Sequence, residues 1–235
     1  MLLSGTAGGK GKGRKLGLFN RPLLASDGGV DWYGEVTSEE LIDGVGLASL
    51  IGLTAGTAQY PDAGWLHVGL DGGPDLFVAK KPLRYNLTAA EAKVAGLYLG
   101  HEIEIEGVRY RVRNLEGVNK NATYGSNTTL YDSVETHGTE WNRIMYRLVK
   151  PSEIGSQIAS DTTVSEGEYV PLASYSYDEL GINAMNGSLS ITNVRGRPDV
   201  NAFFRGGGAV SSVHKSTTYS YSGTNRGWRP VLERV

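Results

Sequence analysis

Residues 101–114 read HEIEIEGVRYRVRN, a stretch that leaves its backbone little choice. Ile103 and Ile105, then Val108, Tyr110 and Val112, take alternate positions. Glu102, Glu104 and Glu106, then Arg109, Arg111 and Arg113, take the others. A period of two is that of a strand whose side chains point to opposite faces, so both runs are strands with one apolar face. A tight turn at Glu106-Gly107 makes them an antiparallel hairpin with acids across from arginines. The apolar face needs a second layer to cover it.

WLHVGL and LFVAKK, residues 65–70 and 76–81, read as two strands around a Gly-Pro turn, with Leu66, Val68 and Leu70 on one face of the first. Thr88 stands three residues before Glu91, the capping-box spacing, which predicts the best helix of the chain, running to a stop at Gly100. Thr37 or Ser38 is expected to cap a short helix over SEELIDGVGLASLIGL, which Gly44 and Gly46 weaken into two broken helical turns. Trp141, Ile144, Met145 and Leu148 recur at spacings of three and four, which favours a helical turn in EWNRIMYRL. SLSITNV, residues 188–194, reads as an isolated strand. Thirty-three glycines and thirteen tyrosines against four phenylalanines fit short strands and many turns with few helices, an α+β chain.

The first thirty residues differ. Eight glycines and five basic residues, Lys10, Lys12, Arg14 and Lys15 among them, precede or surround the first acid, Asp27. Such a segment cannot bury enough apolar surface to fold by itself. It is a flexible tail, an arm that orders against a neighbouring subunit, or a basic nucleic-acid tail; the last is weakened because no aromatic residue precedes Phe19. Residues 31–235 are expected to form one domain. A C-terminal run carrying Trp228, Val231 and Leu232 is expected to be docked into it.

Most chemistry is disfavoured. The chain has no cysteine, which removes disulfides, thiolate nucleophiles and thiolate metal sites and suits a reducing cytoplasm. The formal charge of -2 provides no global field for nucleic acid or anionic lipid. No stretch approaches the roughly 20 apolar residues of a membrane helix. His67, His101, His137 and His214 form no paired-ligand motif, so no metal or other cofactor is called for. Arg205 to Gly208, RGGG, lacks the Lys-Ser/Thr of a phosphate loop and reads as a structural turn. The glutamates of the hairpin read as a solvated face, and Asp132, Glu135 and Glu140, the candidates for a two-carboxylate glycan hydrolase, have no spacing that commits them to a facing pair.

Two resemblances attach to these motifs. NAFFRGGGAV and TNRGWRPVLERV, residues 201–210 and 224–235, resemble the closing signature of the formylglycine-generating (sulfatase-modifying) enzyme family. The matching positions are Arg205, Gly206, Gly207, Gly227, Trp228, Arg229, Pro230, Val231 and Leu232. The resemblance implies a C-type-lectin-like fold, compact and irregular, of short antiparallel strands and hairpins with few short helices, whose last strand returns to pair with earlier ones. Those enzymes carry reactive cysteines downstream of the Arg-Gly-Gly turn, and Ala209 to Ser216 contains none, so that oxidation chemistry is absent while the scaffold stays.

The order LFVAKKPLRYNLT, EIEGVRYRVRNLEG, EWNRIMYRL and GWRPVLE is similar to virion and tail-appendage proteins of bacteriophages and prophages. That resemblance spans roughly residues 30 to 235. It implies a non-enzymatic structural protein of the virion, assembled in the host bacterial cytoplasm as a tail or head appendage or adaptor. Its partners are other virion proteins and copies of itself, held through the N-terminal arm. The alternative is a receptor-binding adhesin for a host cell-surface glycan or protein. Its surface would come from two Tyr-, Ser- and Asn-rich segments carrying Tyr124, Asn127, Tyr131, His214, Tyr219 and Tyr221.

Overall fold

The computed structural model describes residues 17–119, 129–130, 138–154, 171–194, 202–216 and 223–235. A 3-10 turn at Leu18–Asn20 leads into β1 (Ala25–Ser26), β2 (Val30–Val36), helix α1 (Gly44–Leu50), β3 (Thr57–Ala58), β4 (Trp65–Leu70) and β5 (Leu76–Ala79). β6 (Arg84–Tyr85), α2 (Ala89–Val94), β7 (His101–Ile105), β8 (Val108–Asn114), β9 (Glu116–Val118) and β10 (Thr129–Leu130) follow. Next come α3 (Glu140–Leu148), α4 (Pro151–Ile154), β11 (Leu189–Val194), β12 (Ala202–Gly206) and β13 (Val213–Ser216). The chain closes with β14 (Arg226–Trp228) and β15 (Pro230–Arg234).

The fold is α+β, with mostly antiparallel sheets and few short helices. One seven-stranded sheet runs β1-β2-β4-β5-β15-β8-β7. The second runs β10-β13-β12-β11-β14-β6-β3, with β9 paired to β11 off that path. β11 pairs in parallel with both β14 and β9. The chain's last strand is thus central: β15 lies between β5 and β8, so the end is built in rather than frayed.

Two cores follow from the pleat. Phe77, Ala79, Tyr110, Val112 and Leu232 cluster with α1, α2 and Leu189, Ile191, Phe204 and Trp228 of the second sheet. Leu66, Val68, Leu76, Val78 and Val231 cluster with Trp141, Ile144, Met145 and Leu148 of α3. The central strands are therefore apolar on both faces, as β5 is at all four positions. β2 changes allegiance: Val30 and Trp32 join the second cluster and Val36 the first, because the register shifts between Trp32 and Gly34. A bulge of this kind flips the residues beyond it to the other face.

The hairpin β7–β8 forms with Glu102 opposite Arg111 and Glu104 opposite Arg109. Glu106 and Gly107 both have positive φ, 49° and 83°, as the favoured two-residue hairpin turn requires. The strands around the Gly-Pro turn pair as β4 and β5. Thr88 and Glu91 make both bonds of the capping box.

Other expectations are corrected. α2 stops at Val94, not Gly100, because Gly96 takes φ 77° and the Gly96 and Leu97 N–H groups turn back to the Lys93 and Ala92 carbonyls. That is a Schellman cap, with glycine in the left-handed position and an apolar residue after it. Among the described residues the longest helix is α3, nine residues capped by Thr139. The two broken turns form, the first with Thr37 and Glu40 bonding each other's backbone N–H; the second, α1, has its own cap in Asp43, whose carboxylate accepts from Val45 and Gly46, and it contains Gly44 and Gly46 rather than breaking at them. Tertiary bonds hold the link between them, since the Trp65 indole N–H takes the Ile42 carbonyl.

The boundary expected at residue 30 also moves. Leu18 is buried in the first core, Phe19 meets Phe77 edge to face, and β1 pairs with β2. Lys10, Lys12, Arg14 and Lys15 lie outside the described residues. No helix among the described residues is long and apolar enough to cross a membrane.

Candidate functional site

The two C-terminal motifs form the interior of the molecule. Arg205 and Arg229 are buried to 0% and 1% exposure, with their guanidinium carbons 5.8 and 5.9 Å from the centre of the Trp141 ring. Arg205 donates to the Gly117 carbonyl (2.9 Å) and to Asn142 Oδ1 (2.8 Å). Arg229 donates to the carbonyls of Ala79 (3.0 Å), Lys80 (2.6 Å) and Leu180, and to Ser190 Oγ (3.2 Å). Burial pushes its guanidinium down to about 9, so it remains a cation at neutral pH. Backbone carbonyl oxygens stand where a counter-charge would be expected, which is how a buried cation is tolerated without a carboxylate. These hydrogen bonds tie the strands that carry the arginines to neighbouring segments.

The glycines are equally structural. Gly206, Gly207 and Gly208 have φ of 92°, 84° and 110°, and a Cβ at Gly206 would lie 2.6 Å from the Ser188 carbonyl oxygen. A Cβ at Gly227 would lie 2.3 Å from the Gly187 carbonyl oxygen. Close backbone approach and reversed handedness explain glycine at these points. Trp228 is fully buried, and Pro230 opens β15, where its missing N–H is tolerated.

His214 is the described member of the predicted binding set. It stands on β13 opposite Phe204 on one side and Thr129 on the other, half-buried near the glycine turn. Burial, with Arg205 and Arg226 nearby, pushes its pKa down against a hydrogen bond that the ring donates to the Gly206 carbonyl. Its Nε2 has no hydrogen-bond partner among the described residues. Tyr124, Asn127, Tyr131, Tyr219 and Tyr221 lie outside the described residues. The described strands nearest them in sequence are β10 and β13, which pair antiparallel at the edge of the second sheet.

The carboxylates considered for catalysis are engaged or undescribed. Glu140 binds Arg113 through both oxygens, at 2.6 and 2.7 Å, and accepts from the Glu116 N–H at 3.0 Å. Arg113 also meets Glu233 at 2.6 Å, so this end of the arginine row is an enclosed ion-pair network rather than a solvated face. Asp132 and Glu135 lie outside the described residues.

One cluster was not anticipated. His67 is buried on β4, stacked between Tyr33 and Phe77 with ring centroids at 4.6 and 4.5 Å, and its Nε2 lies 2.9 Å from Asp75 Oδ1. Period-two alternation placed His67 on the face opposite Leu66 and Val68, but not that this face is also buried. The His67 hydrogen bond, supported by Arg234 and opposed by burial, holds the Asp75 carboxyl below its ordinary value. A carboxylate whose pKa falls on folding stabilises the fold above its unfolded pKa, about 3.9, and loses that contribution as pH falls through the folded value. Below about pH 4 the wild type is therefore expected to lose more stability than Asp75→Asn. Denaturant titrations at pH 3 to 7 measure this, and equal acid sensitivity in the two proteins would remove the role given to the pair.

No protein-family model, curated protein or solved structure matches the chain. Function must be argued from these groups and their placement.

Proposed function

We propose that the chain is a non-enzymatic structural component of a bacteriophage particle, an appendage or adaptor on a C-type-lectin-like scaffold, joined to copies of itself and to other virion proteins through its N-terminal arm. The observation that carries this reading is the use of its motifs. Arg205, Trp228 and Arg229 are spent on the interior, and the Ala209–Ser212 segment, free of thiols, closes a backbone turn in which the Gly206 N–H meets the Ser212 carbonyl at 3.2 Å. The pairing of β15 with β5 and β8 supports the lectin-like reading, in which the last strand returns to pair with earlier ones.

Receptor binding is the second reading, favoured by one observation: β10 and β13 are neighbours, and each is continuous in sequence with a Tyr-, Ser- and Asn-rich segment. Segments rich in small polar residues and tyrosine, when attached to a sheet, suit recognition of a glycan or protein surface. Mass spectrometry of purified particles, followed by electron cryomicroscopy, tests the first reading: the chain is expected at defined symmetric positions, and its absence from particles would end the proposal. A glycan array with the purified chain tests the second.

A further inference from the structure

The Schellman caps of α1 and α2 enclose an open cavity of about 440 Å³. Ile51, Leu53 and Ala55 line it from the α1 side and Ala90, Val94 and Ala95 from the α2 side, with Thr54 and Glu91 as polar members of a mostly apolar wall; the Glu91 carboxylate is engaged by Thr88. Val94 at the rim is 91% exposed, and Leu50, next to Ile51, is 51% exposed. Two large apolar side chains held in water beside an apolar groove mark an interaction surface.

The other end of α1 is acidic. Between Pro22 and Ala79 the sequence contains nine Asp or Glu residues and no Lys or Arg. Several are engaged: Asp27 with Arg147, Glu35 with Lys80, Glu40 with Arg21 and Asp71 with Arg143. Glu39 and Asp62 are exposed and form no ion pair with a described residue. The Gly44 N–H meets the Pro61 carbonyl at 3.1 Å, which brings Asp62 beside the Asp43 cap. A helix of seven residues, about 10 Å, separates this acidic end from the groove.

Residues 1–16 carry the complementary pattern in the same order. Met1, Leu2 and Leu3 are apolar, and Lys10, Lys12, Arg14 and Lys15 follow a glycine-rich spacer. Seven residues from Leu3 to Lys10 reach up to about 23 Å, more than the helix demands, and sixteen reach about 53 Å. The longer span exceeds the size of a compact domain of this length, whose radius of gyration is about 17 Å.

We propose that this face of α1 and α2 receives residues 1–16 of a second copy of the chain. Met1 to Leu3 fill the groove, and the cations from Lys10 to Lys15 meet Glu39, Asp43 and Asp62. The inference rests on the reading of the chain as a self-assembling component and identifies the acceptor for its arm.

The test uses the purified full-length chain as a mixture of light and heavy isotope forms, with a photo-crosslinking amino acid replacing Val94. Crosslinks to residues 1–3 that join light to heavy chains are expected. Crosslinks within one chain only, or none to residues 1–16, overturn the proposal. In a charge-swap experiment, Glu39→Lys with Asp62→Lys is expected to weaken self-association about tenfold at low to physiological salt, read by sedimentation. Mixing that variant with Lys10→Glu/Lys12→Glu chains is expected to restore mixed association; failure to do so counts against the pairing. Both substituted acids are exposed, so the fold is retained. Arm crosslinking by a chain absent from particles would leave the acceptor standing and remove the virion reading. A chain present in particles whose arm does not crosslink would do the reverse.

Discussion

Trp228→Ala is expected to destabilise the protein by about 3–5 kcal/mol, read as a lower denaturant midpoint with an unchanged slope. The indole is fully buried in the core shared by the two sheets, with Leu189, Ile191, Phe204 and Leu232 in the same cluster. Its backbone is held as well: Trp228 pairs with Arg84 of β6, and its carbonyl accepts from the Leu83 N–H at 2.8 Å. Neither bond involves the ring, and the indole N–H has no partner among the described residues, so truncation removes packing rather than a hydrogen bond. Close packing on both sheets limits how far the cavity can collapse, which places the cost in the upper part of the range for large-to-small changes. Trp228→Phe leaves a smaller void and is expected to retain more than half of the lost stability. An alanine variant that melts like the wild type would show that the last two strands contribute no docking energy.

What the sequence disclosed depended on how local the cause was. The turn at Glu106-Gly107, the Thr88–Glu91 box and the alternation of β7 and β8 are set by neighbours within a few residues, so they could be read directly. α2 ended early because a Schellman cap at Gly96 competes with the later glycine, and the pattern Ala92, Gly96, Leu97 held that signal. The parallel pairing of β11 with β14 and the flip within β2 join distant residues and left no periodic trace. The candidate sites divide likewise. Arg205 and Arg229 were singled out by resemblance, but their carbonyl partners at Gly117, Ala79 and Leu180 come from unrelated segments. His67 looked like one of four scattered histidines because Asp75, Tyr33 and Phe77 reach it only across strands.

Arg229→Ala is expected to cost about as much as the loss of Trp228, for a different reason. The guanidinium joins the end of β5, the Leu180 turn and Ser190 of β11 through four acceptors, and removal leaves two buried carbonyls and one part-buried carbonyl without that donor. Each unsatisfied buried polar group costs about 1–3 kcal/mol, partly relieved by water, so a net loss of about 3–5 kcal/mol is expected. Arg229→Lys separates charge from geometry. A lysine keeps the cation but concentrates its donors at one point, whereas the planar fork reaches acceptors on three segments, so a loss of at least about 2 kcal/mol remains. Arg229→Met separates desolvation from bonding. Apolar replacement of a buried ion pair is often neutral because both charges leave together, but here the partners are backbone carbonyls that cannot leave. A methionine variant as stable as the wild type would show that the cation is dispensable. One as damaged as the alanine variant would show that the hydrogen bonds of this single side chain hold the C-terminal strand, the Leu180 turn and the second sheet in register.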